Sequence, residues 1–237
     1  TRTGIKERRI ASSDEAASDM AVEAAKAALK DARLKAADID LVIVATITPD
    51  MFFPATACLV QHRLGCRTIP AFDISVACSG FIYGLAIANQ FISSGTYKYA
   101  MVIASEKLSS ITDWSDRSTC VLFGDGAGAA ILGPVDRGGI LSVALGADGS
   151  AGDLLKLPAG GSRIPATKKS IDDKLHYVKM NGAELFKHAV RIMAAAALKD
   201  AEARYAKVQS GLDPDQRALA EARLNTAKAT RVAAQAA

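Results

Sequence analysis

This sequence predicts an α/β fold built on a mostly parallel sheet, and three observations carry that expectation. Nearly continuous apolar runs with β-branched residues occur at 40–47 and 99–105, the mark of strands buried on both faces, and 69–75 reads as another strand. Helical patterns separate these runs, and strands alternating with helices become parallel neighbours joined by crossovers. Half of the 237 residues are hydrophobic, 23% are charged and 5% are aromatic. A globular core is therefore expected, made of Ala, Val, Ile and Leu.

The elements follow in order. Ser12 with Glu15 three residues on is a capping box, and 14–32 follows as a helix with Ala17, Met20, Ala21, Ala24 and Ala28 on one face. The 40–47 strand leads through a loop with Pro49 and Pro54 into a second helix ending at Gly65. A strand at 69–75, a helix at 79–94 closed by Gly95 and a strand at 99–105 come next. From Thr119 the pattern changes: 119–132 and 139–145 read as two strands with a short Gly- and Pro-containing turn between them, an antiparallel addition to the sheet. Residues 149–173, rich in Gly, Ser, Pro and Lys, read as a long surface loop, and 183–200 as a helix. In the Ala-rich tail at 201–237, Asp213-Pro214 marks a helix start. The tail's large apolar residues, chiefly Tyr205, Val208, Leu212, Leu219, Leu224 and Val232, hold no heptad register. A solvated or loosely docked helical pair is expected there, not a coiled coil.

Composition excludes several classes. Lys and Arg exceed Asp and Glu by only 29 to 25, too little to imply nucleic acid, although a local site for an anionic group stays open. No uninterrupted apolar run reaches the ~18 residues of a membrane span. The first residue is Thr1, not Met, and the opening segment is no signal peptide, so the sequence reads as cut at its front. A reducing cytoplasm is the simplest compartment. The four cysteines, Cys58, Cys66, Cys78 and Cys120, show no CxxC spacing. Cys58, His62 and Cys66 share one helix face by spacing, but a structural zinc needs a fourth ligand. No metal is expected, and the ordinary reading of a cysteine is a small buried hydrophobe.

Cys78 is the exception. In Ala71-Phe72-Asp73-Ile74-Ser75-Val76-Ala77-Cys78-Ser79-Gly80-Phe81 a buried strand ends, a helix begins, and the cysteine stands at the junction. Unpaired N–H groups and the positive end of a helix dipole meet there, so a thiolate is stabilised. Small neighbours leave room for a substrate, in the manner of a nucleophile elbow with Cys in place of Ser. The glycine-rich run at 124–130 precedes Ile-Leu-Gly-Pro and a turn, not an amphipathic helix. A dinucleotide loop therefore lacks its context, and glycines inside a strand are expected to mark close backbone approach.

These segments resemble the 3-oxoacyl-[acyl-carrier-protein] synthase III family of the thiolase superfamily. The match is carried by Thr1-Arg2-Thr3-Gly4-Ile5-Lys6-Glu7-Arg8, the 73–81 segment, Asp113-Trp114-Ser115-Asp116-Arg117 and Phe123-Gly124-Asp125-Gly126-Ala127-Gly128-Ala129-Ala130. Gly146-Ala147-Asp148-Gly149-Ser150 and Met180-Asn181-Gly182-Ala183-Glu184-Leu185-Phe186 continue it. The resemblance implies that Cys78 is acylated by an acyl-CoA primer and that malonyl-acyl carrier protein then condenses with the acyl group. It implies Arg2 and Arg117 on the CoA nucleotide, and Phe53 crossing a homodimer interface to close the partner's acyl pocket. Phe123, Met180, Gly182 and Phe186 would line the acyl cavity and the pantetheine channel. Acyl-CoA enters as substrate, and no cofactor or metal is implied.

Part of the family pattern is missing. The resemblance implies a His and an Asn in runs like Pro-His-Gln-Ala-Asn and Gly-Asn-Thr-Ser, and neither run occurs here. His62, His176 and His188, read as lying in a helix, a strand-like stretch and a helix, lack those neighbours. The implied fold is thiolase-like, a duplicated pair of α/β halves. Residues 1–198 would hold an incomplete condensing-enzyme domain, with most of the first half, and 199–237 an Ala-rich helical tail of unknown role. Two alternatives follow: a catalytically silent interaction module, or a related thiolase-superfamily acyltransferase of polyketide or olefin synthesis.

Overall fold

Burial on both faces organises the sheet. The computed structural model describes residues 4–209 and 214–236, in two units, Thr1–Leu141 and Ser142–Ala237. In the first unit, β1 (Leu41–Ala45) is buried along its whole length. It pairs in parallel with β2 (Ala71–Ile74) on one side and β3 (Ala100–Lys107) on the other. β4 (Asp125–Leu132) adds antiparallel to β3, giving the order β2-β1-β3-β4. The expected parallel sheet is therefore present with one of the two expected antiparallel strands, and β2, expected to be buried, is half-buried along its length.

Strand alternation splits the core in two. Val42 and Val44 with Met101 and Ile103 face α1 (Ala17–Ala32) and α2 (Thr56–Leu64), whose Ala21, Val22, Ala25, Leu29, Ala57 and Val60 complete that layer. Leu41, Ile43, Ala100 and Val102 face α3 (Gly80–Ser93). The α3 contact is made through small residues, Gly80, Gly84 and Ala88, all buried and four apart. A Cβ built on Gly84 would meet Val102 Cγ1 at 2.6 Å, so the helix backbone lies directly on the sheet.

Several expectations are corrected. The first helix begins at Ala17, not at 14: the Ser12 N–H to Glu15 bond closes a separate turn, and Asp19 accepts the Ala16 N–H at the true start. The strand expected over 119–132 begins only at Asp125. Asp116 accepts from the Ser118 N–H and from the Ser118 and Thr119 hydroxyls, which holds the preceding residues in a turn. Residues 139–145 form no strand, with Leu141 76% exposed, because an apolar run without a neighbouring backbone has no ladder to join. Within the 124–130 run, Gly126 and Gly128 of β4 have open space around them, so close approach is limited to Gly124, just before the strand, whose added Cβ would lie 3.0 Å from Arg9 O. The cysteines are not buried: Cys58 and Cys78 are exposed, Cys66 and Cys120 intermediate. Gly65, left-handed at φ 72°, ends α2 before Cys66, so the Cys58–His62–Cys66 face does not form.

In the second unit, β5 (Leu155–Lys156) pairs antiparallel with β6 (Lys179–Met180), and α4 (Lys168–Asp172) lies between them in sequence. The 149–173 stretch is thus not all loop. α5 (Gly182–Gln209) and α6 (Pro214–Ala236) pack as a helical pair, burying Ala194, Leu198, Leu224 and Ala234. α6 begins at the expected Pro214; Asp213 and Leu212 lie outside the described residues.

Candidate active site

The carboxyl ends of parallel strands are where α/β sheets place their ligands, most often where the strand order reverses. Here β1 lies between β2 and β3, and all three end on one edge, with Ala45 registered against Ile74 and Ala104. The start of β4 reaches that edge too, Asp125 pairing with Lys107. Cys78 follows β2, Phe53 follows β1, and Phe123 precedes β4. Arg117 lies in the turn between β3 and β4. Topology therefore gathers Cys78, Phe53, Phe123 and Arg117 at one edge of the sheet. A groove of about 550 Å³ opens between the β1 and β3 ends, against the start of α1. None of these four residues lines it, and Lys107 in its wall is already bonded to the Ser12 and Glu15 carbonyls.

Cys78 is the middle residue of a 3-10 turn, Ala77–Ser79, that runs directly into α3. Its turn bonds are Ser79 N–H to Val76 O and Gly80 N–H to Ala77 O, so the Cys78 N–H is not used by either. No acidic residue sits in the first turn of α3 and no side chain caps it. An exposed thiol, an N–H beside it and an uncompensated helix start suit a nucleophile whose attack creates an oxyanion.

Two carboxylates hold the neighbouring loops. Asp73, on β2, accepts the Thr56 and Ala57 N–H groups at 2.7 Å each, tying the start of α2 to the strand that leads to Cys78. Glu106, near the end of β3, accepts from the Ile47 N–H at 2.9 Å and the Thr48 hydroxyl at 2.6 Å. Burial pushes the Glu106 carboxyl above its ordinary range against those hydrogen bonds, which pull it down. The folded state therefore holds this proton more tightly than the unfolded chain does. The group's stabilising contribution is full below the unfolded pKa and is lost as pH rises through the folded one. Glu106→Gln should consequently gain stability relative to the parent as pH rises through that window. Urea unfolding of both proteins across a pH series checks this, since all other carboxylates cancel in the difference; a pH-independent difference contradicts it.

The remaining sequence candidates divide. Phe53 is 84% exposed, and its bond to Pro54 is cis. Arg117 is exposed and Phe123 half-buried. In the second unit, Met180 ends β6 and Gly182 opens α5, where a Cβ on Gly182 would lie 3.3 Å from Met180 Cε. Phe186 is 66% exposed. Arg2 lies outside the described residues. His62 is on α2 as expected. His176 lies in a turn, not a strand-like stretch, its Nε2 2.9 Å from Ser170 Oγ. His188, on α5 as expected, has Nε2 3.3 Å from Asp148 Oδ2. Among the described residues no group of three or more His, Cys, Asp or Glu is placed to hold a metal ion, and no helix is long and apolar enough to cross a membrane. Sequence reasoning missed Asp73, Glu106 and the left-handed Ala77 at φ 45°. An acid in an otherwise apolar strand was the available signal for the first two.

Comparison with known proteins bears on this geometry. Residues 72–149 match the family model described as 3-Oxoacyl-[acyl-carrier-protein (ACP)] synthase III. Beta-ketoacyl-[acyl-carrier-protein] synthase III of Caldanaerobacter subterraneus is 56% identical over 216 residues, covering 91% of this chain and 63% of that protein. The same-named protein of Natranaerobius thermophilus is 58% identical over 197 residues, covering 81% and 60%. The crystal structure of 3-oxoacyl-[acyl-carrier-protein] synthase III from Aquifex aeolicus superposes with a TM-score of 0.70 at 46% identity, covering 83% of this chain and 60% of that one. The priming beta-ketosynthase of the R1128 polyketide pathway gives 0.75 at 37%, covering 83% and 58%. The chain spans about three-fifths of the length of the curated relatives it matches. It is a relative of 3-oxoacyl-[acyl-carrier-protein] synthase III and has a thiolase-like α/β fold.

Proposed function

We propose that this chain carries the acyl-transfer part of a 3-oxoacyl-[acyl-carrier-protein] synthase III, the reaction that initiates type II fatty acid synthesis. The observation that supports it is Cys78, exposed between the end of β2 and the start of α3, within the segment that matches the family model. The Cys78 sulfur, its proton released to solvent, attacks the thioester carbonyl carbon of a short acyl-CoA. The carbonyl electrons move onto oxygen, where the Cys78 N–H is available as a donor. The electrons return, the bond to the CoA sulfur breaks, and the CoA thiolate leaves with a proton from water. The acyl group is left on Cys78.

Arg2 and Arg117 are assigned to the CoA phosphates, for which guanidinium forks are suited. Phe53 is assigned to a homodimer interface, and Phe123, Met180, Gly182 and Phe186 to the acyl and pantetheine path. The compartment is the cytoplasm. Malonyl-acyl carrier protein is the second substrate of the complete reaction. Its decarboxylation needs the His and Asn of the family's runs, which this sequence lacks, so acylation without condensation is proposed here. Relatives 56% and 58% identical carry the name beta-ketoacyl-[acyl-carrier-protein] synthase III, which supports this reading.

Incubating the folded chain with acetyl-CoA and then mapping its peptides by mass spectrometry tests this. The expected result is an acetyl group on Cys78 and no CO2 release from malonyl-acyl carrier protein. A folded sample that takes no acetyl group overturns the proposal, and steady condensation overturns the role given to the missing His and Asn.

A further inference from the structure

We propose that Ala77 is the positioning residue of this site: its left-handed backbone, locked between two fixed ends, sets the direction in which Cys78 is presented. The inference rests on reading Cys78 as the acylated nucleophile. Among the described residues, three that are not glycine have positive φ: Arg33, Ala77 and Lys174. Arg33 closes α1, and Lys174 follows the last residues of α4, places where a left-handed residue routinely ends a helix. Ala77 instead lies between a strand and the start of a helix, where no helix end asks for that conformation.

The cause lies in where the connection begins and ends. Ile74, the last residue of β2, is registered against Ala45. Gly80, the first residue of α3, returns to the same place, since a Cβ built on it would lie 2.7 Å from Ala45 Cβ. A Cβ built on Gly84 would likewise lie 2.6 Å from Val102 Cγ1, so the start of α3 is seated directly on the sheet at both glycines. Residues 75–79 must leave Ala45 and come back to it. Val76, at φ −132° and ψ 20°, and Ala77, at φ 45°, make the reversal. Cys78 is thereby left exposed, while Gly80 two residues on is buried. For a residue with a Cβ the left-handed region is unfavourable, and such a conformation persists only where the surroundings over-determine it.

Three variants of the full chain separate positioning from plain structure. Asn favours the left-handed region, Gly is indifferent to hand, and Val is averse to it. Each is scored by the rate of Cys78 acetylation from acetyl-CoA and of its alkylation by iodoacetamide, alongside its Tm. Ala77→Asn should react within about twofold of the parent. Ala77→Gly should melt no lower than the parent, yet acetylate about fivefold more slowly and alkylate about twofold more slowly. Ala77→Val should lose about tenfold in both. A purely structural role makes reactivity follow Tm, which places Gly at or above the parent. Parent-like rates for Ala77→Gly with both reagents therefore overturn the inference, and the Asn and Gly pair decides it even where Val fails to fold. Should no variant and no parent take acetyl while the iodoacetamide order holds, the positioning role stands and the proposed acyl transfer falls.

Discussion

Cys78→Ala is expected to remove the acetyl adduct altogether, and the other three thiols should not replace it. Cys58 is the informative control, because it too is exposed and lies in the first turn of a helix, α2. The positive end of that helix is already compensated: the Asp73 carboxylate accepts the Thr56 and Ala57 N–H groups. The Cys58 thiol itself points at the Ala71 carbonyl, 3.6 Å away. Cys78 stands before a helix with no acid in its first turn. The Cys78 sulfur therefore stands before an open helix start, whereas at Cys58 the donors of the helix start are already taken, although both side chains reach solvent. Burial pushes the Cys66 thiol up, which keeps it protonated and inert. Cys120 is half-buried in the turn before β4, at no helix start. Peptide-resolved labelling with acetyl-CoA should show at least about a tenfold loss of total adduct in Cys78→Ala. Label persisting at that level on Cys58 would mean that exposure, not the junction, selects the site.

The contrast between the two helix starts also shows what the sequence could and could not disclose. The buried strands were legible because a run such as Leu41-Val42-Ile43-Val44-Ala45 has no polar face to offer solvent. The Cys78 junction was legible because strand, cysteine and helix are contiguous. Asp73 and Glu106 were not, since their partners lie 17 and 16 residues away in one case and 59 and 58 in the other. Only the closed fold brings an acid on one strand to the loop after another. The left-handed Ala77 was hidden for a related reason: alanine carries no turn preference, and the reversal is imposed by Ala45 from outside the segment. The 139–145 strand failed in the opposite direction. Its apolar pattern is real, but a strand is a property of two backbones, and the pattern of one cannot supply the other. Of the residues that the resemblance implies for the site, Phe53, Cys78, Arg117 and Phe123 lie at one sheet edge, while Met180, Gly182 and Phe186 belong to the other unit, a division that no run of the sequence spells out.

Adding a side chain at Gly84 should have the largest effect on stability, with a sign opposite to helix propensity. In an exposed helix, Gly→Ala is stabilising by about 1 kcal/mol. Here the added Cβ would meet Val102 Cγ1 at 2.6 Å and Ile74 Cδ1 at 3.6 Å. Val102 is fully buried in strand β3, and a β-branched side chain is restricted at χ1, so it gives way at a cost. Overpacking of this kind costs ~1–3 kcal/mol, so Gly84→Ala should lose rather than gain, by about 1 kcal/mol net. Gly84→Val adds two more methyl groups in the same place and should lose about 3 kcal/mol or more. Moving α3 away from the sheet to relieve the clash also moves Gly80 off Ala45 and loosens the turn that presents Cys78, so acetylation should fall together with stability. Urea unfolding of Gly84→Ala, Val102→Ala and the double variant provides the decisive measurement. Removing Cγ1 makes room for the new Cβ, so the double variant should be more stable than the sum of the singles by about 1 kcal/mol. Strict additivity, or a Gly84→Ala variant more stable than the parent, would show that α3 is free to shift, and the fixed helix start on which the geometry of Cys78 depends would have to be given up.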